Sequence, residues 1–368
     1  MQILITGGAG FIGSHLADDL IGRGHRVRAL DNLSPQVHGD ATTRPQYLHP
    51  EVELVRGDIR DAAVVRRSLS GVDAVYHLAS AVGVGQSMYE IEQYTAINNC
   101  GTAVLLQELS ARPVQRLIVA SSMSVYGEGL YRNRTGELVE TGERSLDQLR
   151  RADWNPSDPS GSLEPVPTPE SKAASLSSIY ALSKFDQERM CLMIGRAYGI
   201  PTVALRFFNV FGTRQSLSNP YTGVLAIFAS RLLNGNAPMI FEDGEQRRDF
   251  VSVYDVVNAC RLALEAPDAP GHAFNIGSGR SCSVREVAEL LAGVLGKAIE
   301  PEISGKYRVG DIRHCFADIT RARAVLGYQP TVTIEDGLIE LSGWLGEQAA
   351  VDRVAEASRE LSARGLTV

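Results

Sequence analysis

The stretch that decides the fold is ILITGGAGFIGSHLADDLIGRGHRVRALDN, residues 3–32. It opens on a β-branched run, turns through Gly7, Gly10 and Gly13, continues as a helical pattern, and closes on a second β-branched run ending at Asp31. A glycine triplet alone says little; strand, turn, helix, strand and terminal acid within about 30 residues make the dinucleotide-binding fingerprint. The first glycine permits the tight turn, the second lets backbone approach a pyrophosphate, and the third lets helix and strand pack closely, beside a helix N-terminus with free N–H groups. Asp31 is placed for the adenosine ribose hydroxyls and disfavours a 2'-phosphate, so NAD is expected over NADP. Arg28 and Arg44 are near enough in sequence to keep the phosphorylated cofactor open, and a glycine turn that merely packs a helix is the plainer alternative.

Outward from this stretch, "VELVRGD", "AVVRRSL", "AVYHLA" and "RLIVAS" go on alternating β-branched runs with helical patterns. The expected class is α/β: a doubly wound parallel-sheet Rossmann domain with a smaller C-terminal α/β substrate domain. Residues 1–209 read as the Rossmann domain, with 249–275 returning to it; 210–248 and 276–346 read as the substrate domain, and 347–368 as a helical extension with Val351, Val354 and Leu361 on one stripe. Residues 127–176, rich in Pro, Ser and Gly, read as an inserted surface loop in which Trp154 suggests packing onto something. Asp58, at the end of the third strand, is placed for an adenine amine; His77, at the end of the fourth, reads more simply as a satisfied core histidine.

The chain has 368 residues, 44% hydrophobic and 21% charged, enough for two packed units around a cleft. A net charge of -7 gives no basic field for nucleic acid, though a small phosphorylated ligand needs only a few local donors. No two of the five cysteines lie closer than positions 260 and 282, so neither a metal clip nor a disulfide framework is expected and a cytoplasmic location is. No apolar run approaches the ~18 residues of a membrane span.

"SSIYALSKFDQE", residues 177–188, places Tyr180 and Lys184 at i and i+4 on one helical face. A phenol is a poor base at neutral pH; an ammonium one turn away, and more so a nicotinamide cation, is expected to lower its pKa so that it accepts a hydroxyl proton while the same carbon is oxidised. The lysine is also placed to hold the nicotinamide ribose. By itself a YxxxK pair recurs by chance; after a dinucleotide fingerprint it becomes specific.

Over roughly residues 1–345 the chain resembles the extended short-chain dehydrogenase/reductases, in the family of NAD-dependent sugar-nucleotide epimerases and dehydratases. The resemblance rests on "TGGAGFIG", "RGDI", "HLA", "NNCGT", "SSMSVYG", "YALSK", "RFFNVFG", "RRDFVSV", "NIGSG" and "RVGDIRHCFAD", in the family's order. It implies Ser122 as third catalytic residue, donating to the substrate 4-oxygen, with Tyr180 as acid/base and Lys184 beside it. The implied cofactor set is Gly7, Gly10, Phe11, Ile12, Gly13, Asp31, Asn32, Asp58, Ile59, Leu78, Ala79 and Asn98, with Tyr180 and Lys184. The implied substrate set is Ser124, Asn209, Arg248, Arg308, Asp311 and Cys315, the two arginines clamping a diphosphate and Cys315 gating the sugar; surface salt bridging and a compact buried thiol are the plainer alternatives. No metal is implied.

Family dehydratases carry an Asp-Glu pair after the serine position, and decarboxylases a glutamate two positions on; Met123 and Ser124 stand here and cannot ionise. The implied reaction is C4 epimerisation of a UDP- or dTDP-hexose through a transient 4-keto sugar with tightly bound NAD. A net reductase or dehydrogenase of a keto sugar nucleotide, and a non-catalytic dinucleotide sensor, are the alternatives. The 127–176 insertion is longer than in plain UDP-galactose 4-epimerases and resembles chains acting on 6-deoxysugar nucleotides, such as dTDP-L-rhamnose 4-epimerases; lid and tolerated insertion both stay open. The resemblance also implies a homodimer through helices near 98–111 and 178–198, although Val104, Leu105, Glu108, Met190, Ile194 and Ala197 suit packing on the chain's own sheet equally.

Overall fold

The computed structural model describes every residue except 40–42, 222, 349 and 368. In chain order, β1 (Gln2–Thr6), α1 (Phe11–Gly22), β2 (Arg26–Asp31), β3 (Glu53–Arg56), α2 (Ala62–Ser68), β4 (Ala74–His77), α3 (Gly101–Ala111), β5 (Arg116–Ser122), α4 (Ile179–Tyr198), β6 (Thr202–Phe207), α5 (Val253–Glu265) and β7 (Ala273–Ile276) build the larger lobe. The strands lie in the order β7-β6-β5-β4-β1-β2-β3, every pair parallel. This is the doubly wound sheet the sequence predicts, with the winding reversed between β1 and β4, where the carboxyl ends open a crevice.

Burial on both faces explains why the strands read as continuous apolar runs: β1 and β6 are buried at every position. One face is covered by α1 and α5 through Leu16, Leu20, Val256 and Ala263; the other by α2, α3 and α4 through Val65, Leu105, Leu109 and Cys191. A third cluster gathers the helices Val224–Leu233, Val284–Val294 and Ile334–Leu345 into the smaller lobe. In the loop joining the lobes, Asp249 is buried and its carboxylate accepts from the N–H groups of Ser278, Gly279 and Ala317, which fixes the "NIGSG" turn against the strand Phe250–Ser252.

Two expectations change. The 127–176 segment is not a bare loop: Leu130–Arg132, Leu138–Glu140 and Glu164–Val166 form a three-stranded antiparallel sheet, anchored by buried Leu130 and Tyr131. Short strands broken by Pro and Gly gave no period long enough to read. In the C-terminal extension the helix runs Val354–Ala363, and Val354, Ala357 and Leu361 are its buried face. Val351 precedes the helix and is 58% exposed, so it is not on the stripe.

Candidate active site

A cavity of about 660 Å³ opens along the carboxyl ends of the central strands, between the lobes. It gathers Gly7, Gly10, Phe11, Ile12, Gly13, Asp31, Asn32, Asp58, Ile59, Leu78 and Ala79 with Ser122, Ser124, Tyr180 and Lys184, and with Asn209, Arg248, Arg308 and Asp311. Of the expected residues, Asn98 and Cys315 are not among its lining.

The glycine turn fits a dinucleotide. Gly7 has φ +70°, and a Cβ there would come within 2.9 Å of the Ala79 nitrogen; a Cβ on Gly13 would meet the Gly7 carbonyl at 2.4 Å. Backbone therefore approaches backbone, and the turn leading into α1 reaches the cavity with Phe11 and Ile12 of the first helical turn beside it. Asp31 is held in place by the N–H groups of Ala9 (3.0 Å) and Leu33 (2.9 Å), and His38 lies 3.7 Å from it. The two arginines that kept NADP open are engaged elsewhere: Arg28 bonds the Ser68 and Ser70 carbonyls and Glu53, and Arg44 bonds the Val52 and His49 carbonyls. Asp58 is taken by Arg60 through two side-chain hydrogen bonds of 2.9 and 2.8 Å, which hold its carboxyl below the ordinary value.

Helix α4 carries Tyr180 and Lys184. Ser178 caps it, its hydroxyl accepting from the Ala181 N–H at 3.1 Å, and Gly199 at φ +67° ends it in the left-handed conformation that favours glycine. The Ser87 hydroxyl accepts the Tyr180 N–H at 3.0 Å, which ties the loop after β4 to the first turn. Tyr180 and Ser122 are hydrogen bonded, and Ser122 also accepts from the hydroxyl of Ser124 at 3.0 Å. The lysine does not lower the phenol here as expected: burial holds Tyr180 above its ordinary value, with the Ser122 hydrogen bond pulling the other way. The Lys184 ammonium donates to Gln187 Oε1 at 2.7 Å, and burial pushes it down to about 8. Gln187 passes on to Thr102 (2.8 Å) and His77 (3.2 Å), and His77 also meets Thr6 at 2.8 Å; buried and pushed down to about 3, it is a neutral core histidine.

Asn98 is drawn away from the cavity because its side chain is fully used. It accepts from the Ala81 N–H and Ser80 hydroxyl and donates to the Ala81 carbonyl and to Ser183, which is three residues after Tyr180 and next to Lys184 on α4. Cys315 is 1% exposed, paired in register with Arg248 and packed against Gly129 and Thr168, so it lies behind the wall it was expected to gate. Arg248 donates to the carbonyls of Arg247, Ile312 and Arg313, and burial lowers its affinity for the proton. Arg308 pairs with Asp311 at 2.8 Å and lies over the Phe241 ring. The buried Asn209 Oδ1 has no hydrogen-bond partner among the described residues.

Sequence reasoning missed three contributors. Val84, Gly85 and Gln86 line the cavity from the loop after β4, and Met239 to Phe241 from the smaller lobe. The C-terminal helix adds Val354, Ala357, Ser358 and Leu361. The insertion is braced to the smaller lobe: buried Arg144 pairs with Glu128 and Glu242, buried Arg313 with Glu242 and Asp243, and Trp154 meets Tyr307, next to Arg308. Among the described residues no cluster of His, Cys, Asp or Glu is placed to hold a metal, and no helix is long and apolar enough to cross a membrane.

Fold and cavity together have the form of a dinucleotide-dependent enzyme. The model of the NAD dependent epimerase/dehydratase family matches residues 3–145 and 158–277, and the chain belongs to that family. It is 36% identical to the dTDP-L-rhamnose 4-epimerase of Burkholderia thailandensis over 94% of this chain and 95% of that one. Among solved structures it is similar to the UDP-glucose 4-epimerase of Thermotoga maritima with UDP-glucose, at 32% identity and TM-score 0.78, covering 94% of this chain and 99% of that one. It is also similar to the Thermus thermophilus UDP-glucose 4-epimerase complex with NAD, at 30% identity and TM-score 0.74, covering 95% and 100%. The cofactor is NAD.

Proposed function

We propose that the protein is an NAD-dependent nucleotide-sugar 4-epimerase, and the observation that carries this is the Ser122–Tyr180–Lys184 arrangement beside a dinucleotide cradle with no ionisable residue at positions 123 and 124. Bound in the cradle, NAD supplies reversible two-electron oxidation of the sugar carbon. Tyr180 takes the C4 hydroxyl proton at its phenol oxygen and later returns it, Ser122 holds the 4-oxygen, and Lys184 is placed to hold the nicotinamide ribose. Met123 and Ser124 can neither take a proton from the sugar nor expel its 6-hydroxyl, which favours return of the ketone to an alcohol over elimination. Arg248 and Arg308 supply guanidinium forks for a diphosphate, and Asn209 its unpaired carbonyl oxygen for a sugar or nucleotide hydroxyl.

The substrate in this reading is a UDP- or dTDP-hexose; the similarity to a dTDP-L-rhamnose 4-epimerase and the ordered insertion support a 6-deoxyhexose. The reading divides the chain at 1–209 with 249–275 for the cofactor and at 210–248 with 276–346 for the sugar nucleotide. It includes a homodimer through α3 and α4, supported by exposed Leu182 and Met193 on α4, although Leu105 packs in the core and Glu108 pairs with Arg66. It also includes a cytoplasmic location, supported by five free thiols. The test is incubation of NAD-loaded protein with a panel of UDP- and dTDP-sugars and no reductant. Inversion at C4 of one pair supports the reading; a product formed only with stoichiometric NADH makes the protein a reductase instead.

A further inference from the structure

The C-terminal helix turns its apolar face to the cavity and not to a core. Val354, Ala357, Ser358 and Leu361, spaced i, i+3, i+4 and i+7, lie on one side and line the cavity. Val354, Ala357 and Leu361 are buried, yet none belongs to the three hydrophobic clusters that hold the lobes together. The opposite side, with Ala355, Glu356 and Arg359, is exposed.

The helix is fastened to segments that themselves form the site. At its start the Val351 N–H donates to Ser218, and Arg231 pairs with Asp352. Beyond its end Thr367 pairs with Arg308, and the Val309 N–H donates to the Leu366 carbonyl at 3.0 Å. Arg364 stacks 4.6 Å over Tyr89, whose hydroxyl bonds that of cavity-lining Tyr221. In between, Leu361 rests on Gly85, where an added Cβ would lie 3.3 Å from its Cδ2. Gly85 is two residues from Ser87, which holds the Tyr180 N–H. The helix thus starts at the segment of Ser218 and Arg231, and its C-terminal end touches both the loop of Arg308 and the loop that holds the Tyr180 N–H.

We propose, resting on the epimerase reading, that helix Val354–Ala363 is the outer wall of the sugar subsite and retains the oxidised sugar while it turns, with Leu361 as the closing contact. A 4-epimerase must release nothing between its two half-reactions. If the ketone escapes, the two electrons and the hydrogen taken from C4 stay on the cofactor and the proton stays with Tyr180 or solvent, so the enzyme is left reduced and stalled. An apolar wall suits this task because it excludes water and confines the sugar without directional hydrogen bonds that would fix one face.

The test compares full-length Leu361→Ala and Leu361→Glu with wild type, using Glu356→Gln on the exposed side as control. With the sugar nucleotide that wild type interconverts, Leu361→Ala is expected to raise KM by roughly tenfold or more, the binding equivalent of one buried leucine-sized contact. It is also expected to build up the near-ultraviolet absorbance of reduced nicotinamide during turnover, with keto sugar trapped in solution by borodeuteride. Glu356→Gln behaves as wild type. Unchanged KM with no accumulation of reduced cofactor in either Leu361 variant overturns the proposal. If wild type interconverts no sugar nucleotide, the epimerase reading fails, and calorimetry with UDP-glucose decides the wall separately. Weaker binding by Leu361→Glu at unchanged melting temperature supports it, and equal binding overturns it.

Discussion

The Lys184 ammonium donates to Gln187 Oε1 at 2.7 Å, one turn along the same helix, while Tyr180 keeps its hydrogen bond with Ser122. Lysine and tyrosine therefore share a helical face without being each other's partner. Burial disfavours both charged forms, so in the protein alone the phenol stays protonated and the ammonium is weakened. In the proposed reading the cation of a bound nicotinamide would favour the phenolate and so would couple proton transfer to cofactor occupancy.

Tyr180→Phe removes the proton acceptor and leaves the glycine cradle and Lys184 in place. Turnover is expected to fall by about 10²–10⁴-fold, the usual worth of a positioned acid/base. NAD content of the purified variant, measured by release on denaturation, is expected to match wild type; retained turnover contradicts the assignment.

Lys184, lowered to about 8 from 10.5, gives turnover and stability opposite slopes. As pH rises through about 8 the folded protein loses the ammonium and turnover declines. The unfolded chain keeps its proton up to about 10.5, so the penalty of the buried ammonium, fully present below 8, is relieved between these values and stability from this group rises there. Melting temperature and initial rate followed together across this range check both signs, and Lys184→Met is expected to abolish the stability slope.

Among the described residues, the hydrogen-bond partners of the Arg248 guanidinium at the cavity are backbone carbonyls. Arg248→Met is expected to raise KM for the sugar nucleotide by roughly tenfold to a hundredfold, the worth of charge-assisted hydrogen bonds to a phosphate, with a smaller effect on kcat. Steady-state kinetics on the variant supplies both constants.

Arg313 is 1% exposed and bonds Glu242 and Asp243, while its neighbour Arg144 ties Glu128 of the insertion to Glu242. Arg313→Met leaves buried Glu242 to Arg144 and strips the guanidinium from part-exposed Asp243, and is expected to cost about 1–3 kcal/mol in denaturant unfolding. Adding Asp243→Asn is expected to recover part of that loss, since the two residues act as one unit.

The larger lobe was legible because its strands are buried on both faces and its turn needs glycine: Gly7, Gly13 and Asp31 stand where residues 3–32 imply. The pair Tyr180 and Lys184 was readable only from its spacing together with the dinucleotide fingerprint, and its electrostatics only from burial. Asn98 and Cys315 fall outside the cavity lining, which sequence order, giving proximity but not direction, does not show. Asn98 spends its side chain on Ala81 and Ser183, and Cys315 sits in register with Arg248 facing Thr168. The sheet in the insertion and the place of Leu361 on the cavity wall were hidden for a related reason. Short strands have no readable period, and an apolar helical stripe looks the same whether it meets a core or a cavity.

The most direct test of the central claim is conversion in deuterium oxide by NAD-loaded protein without added NADH, with the C4 position of recovered sugar read by nuclear magnetic resonance. The account predicts that the C4 epimer accumulates carrying its original hydrogen at C4, with the cofactor unchanged at the end, because the hydrogen removed is the hydrogen returned. Deuterium at C4, or product that appears only as NADH is consumed, would contradict it.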